Sequence, residues 1–203
     1  LAALTSAASM ARELSPSPSM KASDAEALTL MPFAAASVTV TRLRSASAGM
    51  VTMTLLPATA VPGYTGSSAY LLMSKYNNYY GVGTGDGMNR VAILDPFVSQ
   101  SDSISGRSVM REVLTLAGPT PEGGGLPGVK EWCINTAAVD PTRRSVLANS
   151  EDGWLYRWDL ATNSFTQRIQ LTSGIAESYT PTAVGADGKV YAINNAVLFA
   201  VGL

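Results

Sequence analysis

The stretch Glu151-Asp152-Gly153-Trp154-Leu155-Tyr156-Arg157-Trp158-Asp159-Leu160 decides the fold. Asp-Gly is a tight-turn signal, and a type I′ turn there needs positive φ at both central residues. From Trp154 to Asp159 the chain alternates. Trp154, Tyr156 and Trp158 point one way; Leu155, Arg157 and Asp159 point the other. Ala161-Thr162-Asn163-Ser164 is a second turn signal, and Phe165 to Leu171 reads as a second strand.

The same grammar returns on either side. Ala186-Asp187-Gly188-Lys189-Val190-Tyr191-Ala192-Ile193-Asn194-Asn195 lays over the first stretch, turn on turn and tyrosine on tyrosine. Upstream, Gly85-Asp86-Gly87 precedes the strand-like Val91 to Leu94. Repeats of this spacing, built of hairpins with no helical period between them, favour a propeller. The expected fold class is all-β, with propeller-like four-stranded antiparallel blades over residues 67–203.

Ile134 to Val139, a turn at Asp140-Pro141-Thr142-Arg143, and Ser145 to Asn149 supply the first two strands of the clearest blade. Tyr179 to Gly202 repeats the pattern with three strands. Further upstream, Ser37 to Leu43 and Met50 to Leu56 alternate as a hairpin, followed by a connection, so 37–66 is one segment. Tyr70 to Ser74 and Val109 to Leu116 read as strands. Val91 to Leu94 reads as a strand stopped by Asp95-Pro96. Pro119 to Gly128, dense in proline and glycine, reads as a linker or surface loop. Residues 1–36 form an N-terminal arm, expected to be disordered or weakly helical and cut by Ser15-Pro16-Ser17-Pro18-Ser19.

Composition removes several function classes. The chain has 203 residues, 46% hydrophobic and 14% charged, with a net charge of −1. With no basic face to hold phosphates, nucleic acid is excluded as an expected partner. There is no histidine, which removes Ser-His-Asp and Cys-His catalysis and histidine-held metal sites. Cys133 is the single cysteine, so no internal disulfide forms; its neighbours Trp132 and Ile134 suggest a buried thiol. No apolar run of about 18 residues marks a membrane span. Low charge with much Ser, Thr, Ala and Asn suits an extracytoplasmic, β-rich protein.

Glu151 to Leu160 and Ala186 to Asn195 resemble the blade repeat of quinoprotein-dehydrogenase-like propellers, the PQQ-type repeat, in which Asp-Gly is followed by a Val-Tyr-Ala-Leu pattern. The likeness covers residues 67–203 and is firm over about 134–202. WD-type and extracellular binding propellers share the motif, so what it implies is a blade. Quinone-using members carry a vicinal cysteine pair and a calcium site. This chain has one cysteine and no Asp-x-Asp-x-Asp loop, so no cofactor and no metal is expected. It holds fewer blades than the family's members, which implies a partial propeller.

Lys75-Tyr76-Asn77-Asn78-Tyr79-Tyr80 is the best binding candidate, with Asp86 and Arg90 of the following loop. Tyrosine and asparagine with little charge suit a protein or carbohydrate surface. Gly81 to Gly87 has the look of a phosphate cradle, but a strand follows it and no Gly-Lys-Ser/Thr is present. Asp86, Asp152 and Asp187 are explained by turn chemistry, and Trp154, Tyr156 and Trp158 by core packing between blades. No catalytic residue is assigned. The leading expectation is a non-catalytic binding or scaffold module. The alternative is a piece of a quinoprotein-like or lyase-type propeller enzyme. The last unit leaves an edge that either joins Ser37 to Leu43 or Met50 to Leu56, or stays open to self-association, since Val197 to Val201 carries no charge and no proline.

Overall fold

The computed structural model describes residues 37–38, by backbone alone, and 53–202 except 104–105, 133–134 and 175. The arm expected over 1–36 and the thiol of Cys133 lie outside the described residues.

Alternating sequences pair into four antiparallel sheets. The first holds β1 (Ser37–Val38), β2 (Met53–Pro57), β3 (Tyr70–Tyr76), β4 (Arg90–Ser101) and β5 (Ser108–Ala117), in that order. The second is a hairpin, β6 (Pro121–Gly123) with β7 (Leu126–Val129). The third runs β8 (Ala138–Asp140), β9 (Ser145–Asn149), β10 (Trp154–Asp159), β11 (Ser164–Gln170), and is the four-stranded blade the sequence predicts. The fourth holds β12 (Ala183–Val184), β13 (Val190–Asn194) and β14 (Val197–Val201). The chain is all-β, and its repeated sheets are propeller-like.

The third sheet is covered on both faces. Val139, Val146, Ala148, Tyr156 and Trp158 pack against Leu56, Leu71, Met73, Val91 and Ile93 of the first sheet. Ala138, Leu147 and Leu155 pack against Val190 and Ala192 of the fourth. Period-two alternation therefore sorts one strand's residues onto two interfaces. Trp158 and Tyr156 are fully buried and Trp154 packs partly against the same cluster, so the core reading of the three aromatics holds. Burying each ring contributes on the order of 5 kcal/mol from area alone. At the inner edge β8 lies against both β2 and β12. Thr54 Oγ1 donates to Ala137 O at 2.9 Å, and Thr182 N–H to Thr136 O at 2.9 Å. One strand from each of the three larger sheets, β2, β8 and β12, thus meets the next.

Several local expectations are corrected. The Asp152-Gly153 turn is not primed, because only Gly153 (φ 84°) lies in the left-handed region. Ser150 N–H donates to Trp154 O at 3.1 Å and Gly153 N–H to Ser150 O at 3.3 Å, making a three-residue loop whose glycine forms a bulge. Gly185 and Gly188 repeat both bonds, at 2.8 and 3.0 Å. The two-residue loop with positive φ at both positions is Asn195-Ala196, at 48° and 61°. β4 runs through Asp95-Pro96 where the sequence predicts a stop. The register shifts between Asp95 and Ser99, so Pro96 sits where the ladder is already broken. The expected linker at 119–128 folds on itself as β6–β7, with Gly123, Gly124 and Gly125 all at positive φ. Finally, β2 lies between β1 and β3, so within the described residues nothing joins it to β14.

Candidate functional site

The residues Lys75 to Tyr80 begin inside β3 and leave it at Tyr76, and alternation decides their fates one by one. Lys75 points inward and is 8% exposed. Its Nζ donates to Asn135 Oδ1 at 2.6 Å and to the Asn149 carbonyl at 2.8 Å, 5.9 Å from the Trp132 ring centroid. Tyr76 points to the opposite face and donates to Glu112 Oε1 at 2.6 Å; burial, then that bond, push its phenol up. Asn77 holds the Trp132 backbone at both ends. Its Nδ2 donates to Trp132 O at 3.0 Å and its Oδ1 accepts the Trp132 N–H at 3.0 Å.

Asn78, Asp86 and Arg90 close the loop rather than open a site. Asn78 Nδ2 donates to Asp86 Oδ1 at 2.7 Å, and Arg90 pairs with Asp86 Oδ2 at 2.8 Å. The bond from Arg90 leads the contributions that lower Asp86 to about 2. The glycine-rich segment between them leads into β4, with no helix behind it.

Of the eight candidates, Tyr79 and Tyr80 are the exposed aromatics, at 47% and 59%. They line a pocket of about 220 Å³ with Glu122, Glu131, Glu151, Asn89 and the β7 residues Leu126, Pro127 and Val129. Tyr79 Oη donates to Glu131 Oε2; burial and this bond push its phenol up to about 12. Glu151 sits at the start of the turn before β10, and Ala176 N–H donates to its carbonyl at 2.7 Å. Burial, then the hydrogen bond and negative charge shared with Glu131, push its carboxyl up to about 7, while Lys130 pulls the other way. Lys130 Nζ lies 3.0 Å from Glu122 Oε1 and 3.9 Å from Glu151 Oε1. Lys130 against three carboxyls, of which Glu151 is raised to about 7, leaves the pocket with a net negative charge at pH 7.

A second hollow, of about 450 Å³, is lined by Tyr76, Asn77, Asn78 and Arg90 with Met110 and Glu112. The candidates are therefore split between two hollows and the interior. Sequence reasoning missed Glu131 and Glu151 as a pair. They belong to connections before β8 and before β10, and only the packing of β9 beside β8 brings those connections together. The nearest signal was Lys130-Glu131-Trp132, placed just ahead of the clear blade.

No family model matches the chain, and no curated protein matches it in sequence. Among the described residues no helix is long and apolar enough to cross a membrane.

Proposed function

We propose that the chain is a non-catalytic binding module, built on propeller-like blades of the quinoprotein repeat type and set outside the cytoplasm, and that it takes a neutral carbohydrate at the Tyr79–Tyr80 pocket. The observation that carries this is the placing of two exposed tyrosine rings beside the carboxyls of Glu131 and Glu151 in one pocket. Tyrosine faces cover the apolar C–H faces of sugar rings, and their hydroxyls add hydrogen bonds at the edge. A carboxylate accepts from two adjacent sugar hydroxyls, and a protonated carboxyl donates as well. The carboxyl excess over Lys130 disfavours a polyanion, while carboxylates accept readily from the hydroxyls of an uncharged sugar. The quinoprotein likeness is supported by the Asp-Gly turn chemistry, which recurs at Asp86, Asp152 and Asp187.

The test is titration calorimetry against a panel of neutral oligosaccharides, with wild type and Tyr80→Ala. Binding by the wild type that falls by about tenfold or more in Tyr80→Ala, at unchanged melting temperature, is the expected result for loss of a stacking face. No binding across the panel, or equal binding by the variant, removes the proposal.

A further inference from the structure

We propose that β14 pairs with β14 of a second copy of this chain, continuing the fourth sheet across a two-fold axis at Phe199. The inference is independent of the carbohydrate pocket, which is lined by the β3–β4 connection, the second sheet and the connections before β8 and β10.

Other sheet edges of this molecule are defended against pairing. A strand edge with bare N–H and C=O groups invites pairing, so exposed edges carry charges, bulges or very short strands. β11 shows exposed Thr166, Gln167 and Arg168 and a register shift opposite Arg157 and Trp158. β5 carries Arg111 and Glu112, and its ladder is broken at two places. β12 has two residues. β14 has none of these defences. It reads Val197-Leu198-Phe199-Ala200-Val201 and is last in its sheet among the described residues. Val197 and Leu198 are 51% and 62% exposed.

The hairpin geometry says which backbone groups face outward. Asn195-Ala196 is a two-residue loop, so its closing pair, Asn194 with Val197, exchanges both backbone bonds. Alternation then turns the N–H and C=O of Leu198 and Ala200 away from β13. These are the groups an added antiparallel strand would use.

The strand is also its own best complement. Read about Phe199, valine stands opposite valine, Leu198 opposite Ala200 of the second copy, and Phe199 opposite itself. A two-fold contact makes every such pairing twice. With no charge on the strand, self-pairing opposes no like charges, and an aromatic pair on the axis adds favourable contact. The buried area is that of one short strand pair, so the dimer belongs to the weak class, under about 1,200 Å² in total.

Sedimentation velocity on the intact chain, over a wide concentration range, tests this. The wild type should show concentration-dependent dimers. Ala200→Pro removes one outward N–H and leaves the bonds to β13 in place, so it should be a monomer with unchanged circular dichroism. Leu198→Lys, on an exposed side chain, should weaken the dimer by about tenfold or more by placing two lysines near the axis. A wild type that stays monomeric overturns the proposal, whether the edge is bare or another strand covers it. So does a dimer that survives Ala200→Pro, since pairing would then run through a sheet face or another segment. If Ala200→Pro fails to fold, Leu198→Lys decides on the same criterion.

Discussion

The phenolic hydroxyl of Tyr156 donates to Asp152 Oδ2 at 2.5 Å, four residues back along the chain. Tyr191 does the same to Asp187 at 2.9 Å. In the third copy Arg90 takes the tyrosine's place and reaches Asp86 Oδ2 at 2.8 Å. In all three the other carboxylate oxygen accepts the backbone N–H two residues on, at Met88, Trp154 and Lys189. The repeat is therefore a physical unit: an aspartate that fixes the turn and pins a side chain on the strand that follows. Turn chemistry therefore accounts for all three aspartates, since each carboxylate is used by its own turn.

The three copies differ in how deep the pinned group lies, which makes them separable by mutation. Tyr156 is 1% exposed, and with Asp152 gone its hydroxyl loses its shortest partner and is left with Thr120 Oγ1, at 3.4 Å, and Arg168. Asp152→Ala should cost about 2 kcal/mol, the usual range for leaving a buried polar group poorly satisfied. Asp187→Ala, at the surface, should cost measurably less. Urea unfolding of both variants checks the order; equal costs would show that the turn, not the buried phenol, carries the energy.

Much of this fold was legible in the sequence because its information is local. Trp154 to Asp159 alternates, Ser145 to Asn149 and Val197 to Val201 are short apolar runs, and turn residues bound all three. The misreadings have physical causes too. Glycine and proline density at 119–128 signals a loop, yet three consecutive positive-φ glycines reverse the chain tightly enough to pair β6 with β7. Lys75 reads in sequence as the first residue of the polar-aromatic run Lys75 to Tyr80. Its position in the β3 alternation, in step with Leu71 and Met73, was the better guide. Glu131 and Glu151 were beyond reach, since their meeting depends on how two connections stack.

The interior place of Lys75 gives a second prediction. Lys75→Met keeps much of the stem but takes donors from Asn135 Oδ1 and the Asn149 carbonyl, both in buried residues. The loss should be about 2–3 kcal/mol, typical for hydrogen bonds from a charged group. Thermal unfolding reads it. A variant as stable as the parent would return Lys75 to the list of ligand contacts.

Ala196 gives a prediction of opposite sign. It sits at φ 61° in the β13–β14 loop, where an L-residue with a Cβ is strained. Glycine relieves the strain and gives back part of the gain as unfolded-state entropy. Ala196→Gly should therefore stabilise by about 0.5–1 kcal/mol, seen as a higher urea midpoint with an unchanged slope. A lower midpoint would mean that the loop prefers another conformation in solution.

The carboxyl pair predicts how stability moves with pH. Glu151 is raised from its ordinary 4.5 to about 7, first by burial and then by Glu131. The folded chain thus holds a proton that the unfolded chain has already released. Stability from this group is full below about pH 4.5, falls as pH rises towards 7, and is gone above it. Asp86, lowered to about 2 chiefly by the Arg90 bond, acts in the opposite sense: its contribution is present above 3.8 and is lost as pH falls towards 2. The two windows do not overlap, so the curve should rise on leaving strong acid and then decline towards neutrality. Glu151→Gln cannot titrate, and should flatten the decline while leaving the acid limb untouched. Unfolding free energies at stepped pH values, for both proteins, make the comparison. A decline of equal slope in Glu151→Gln would place the shared proton on some other group, and with it the hydrogen-bonding pattern of the Tyr79–Tyr80 pocket.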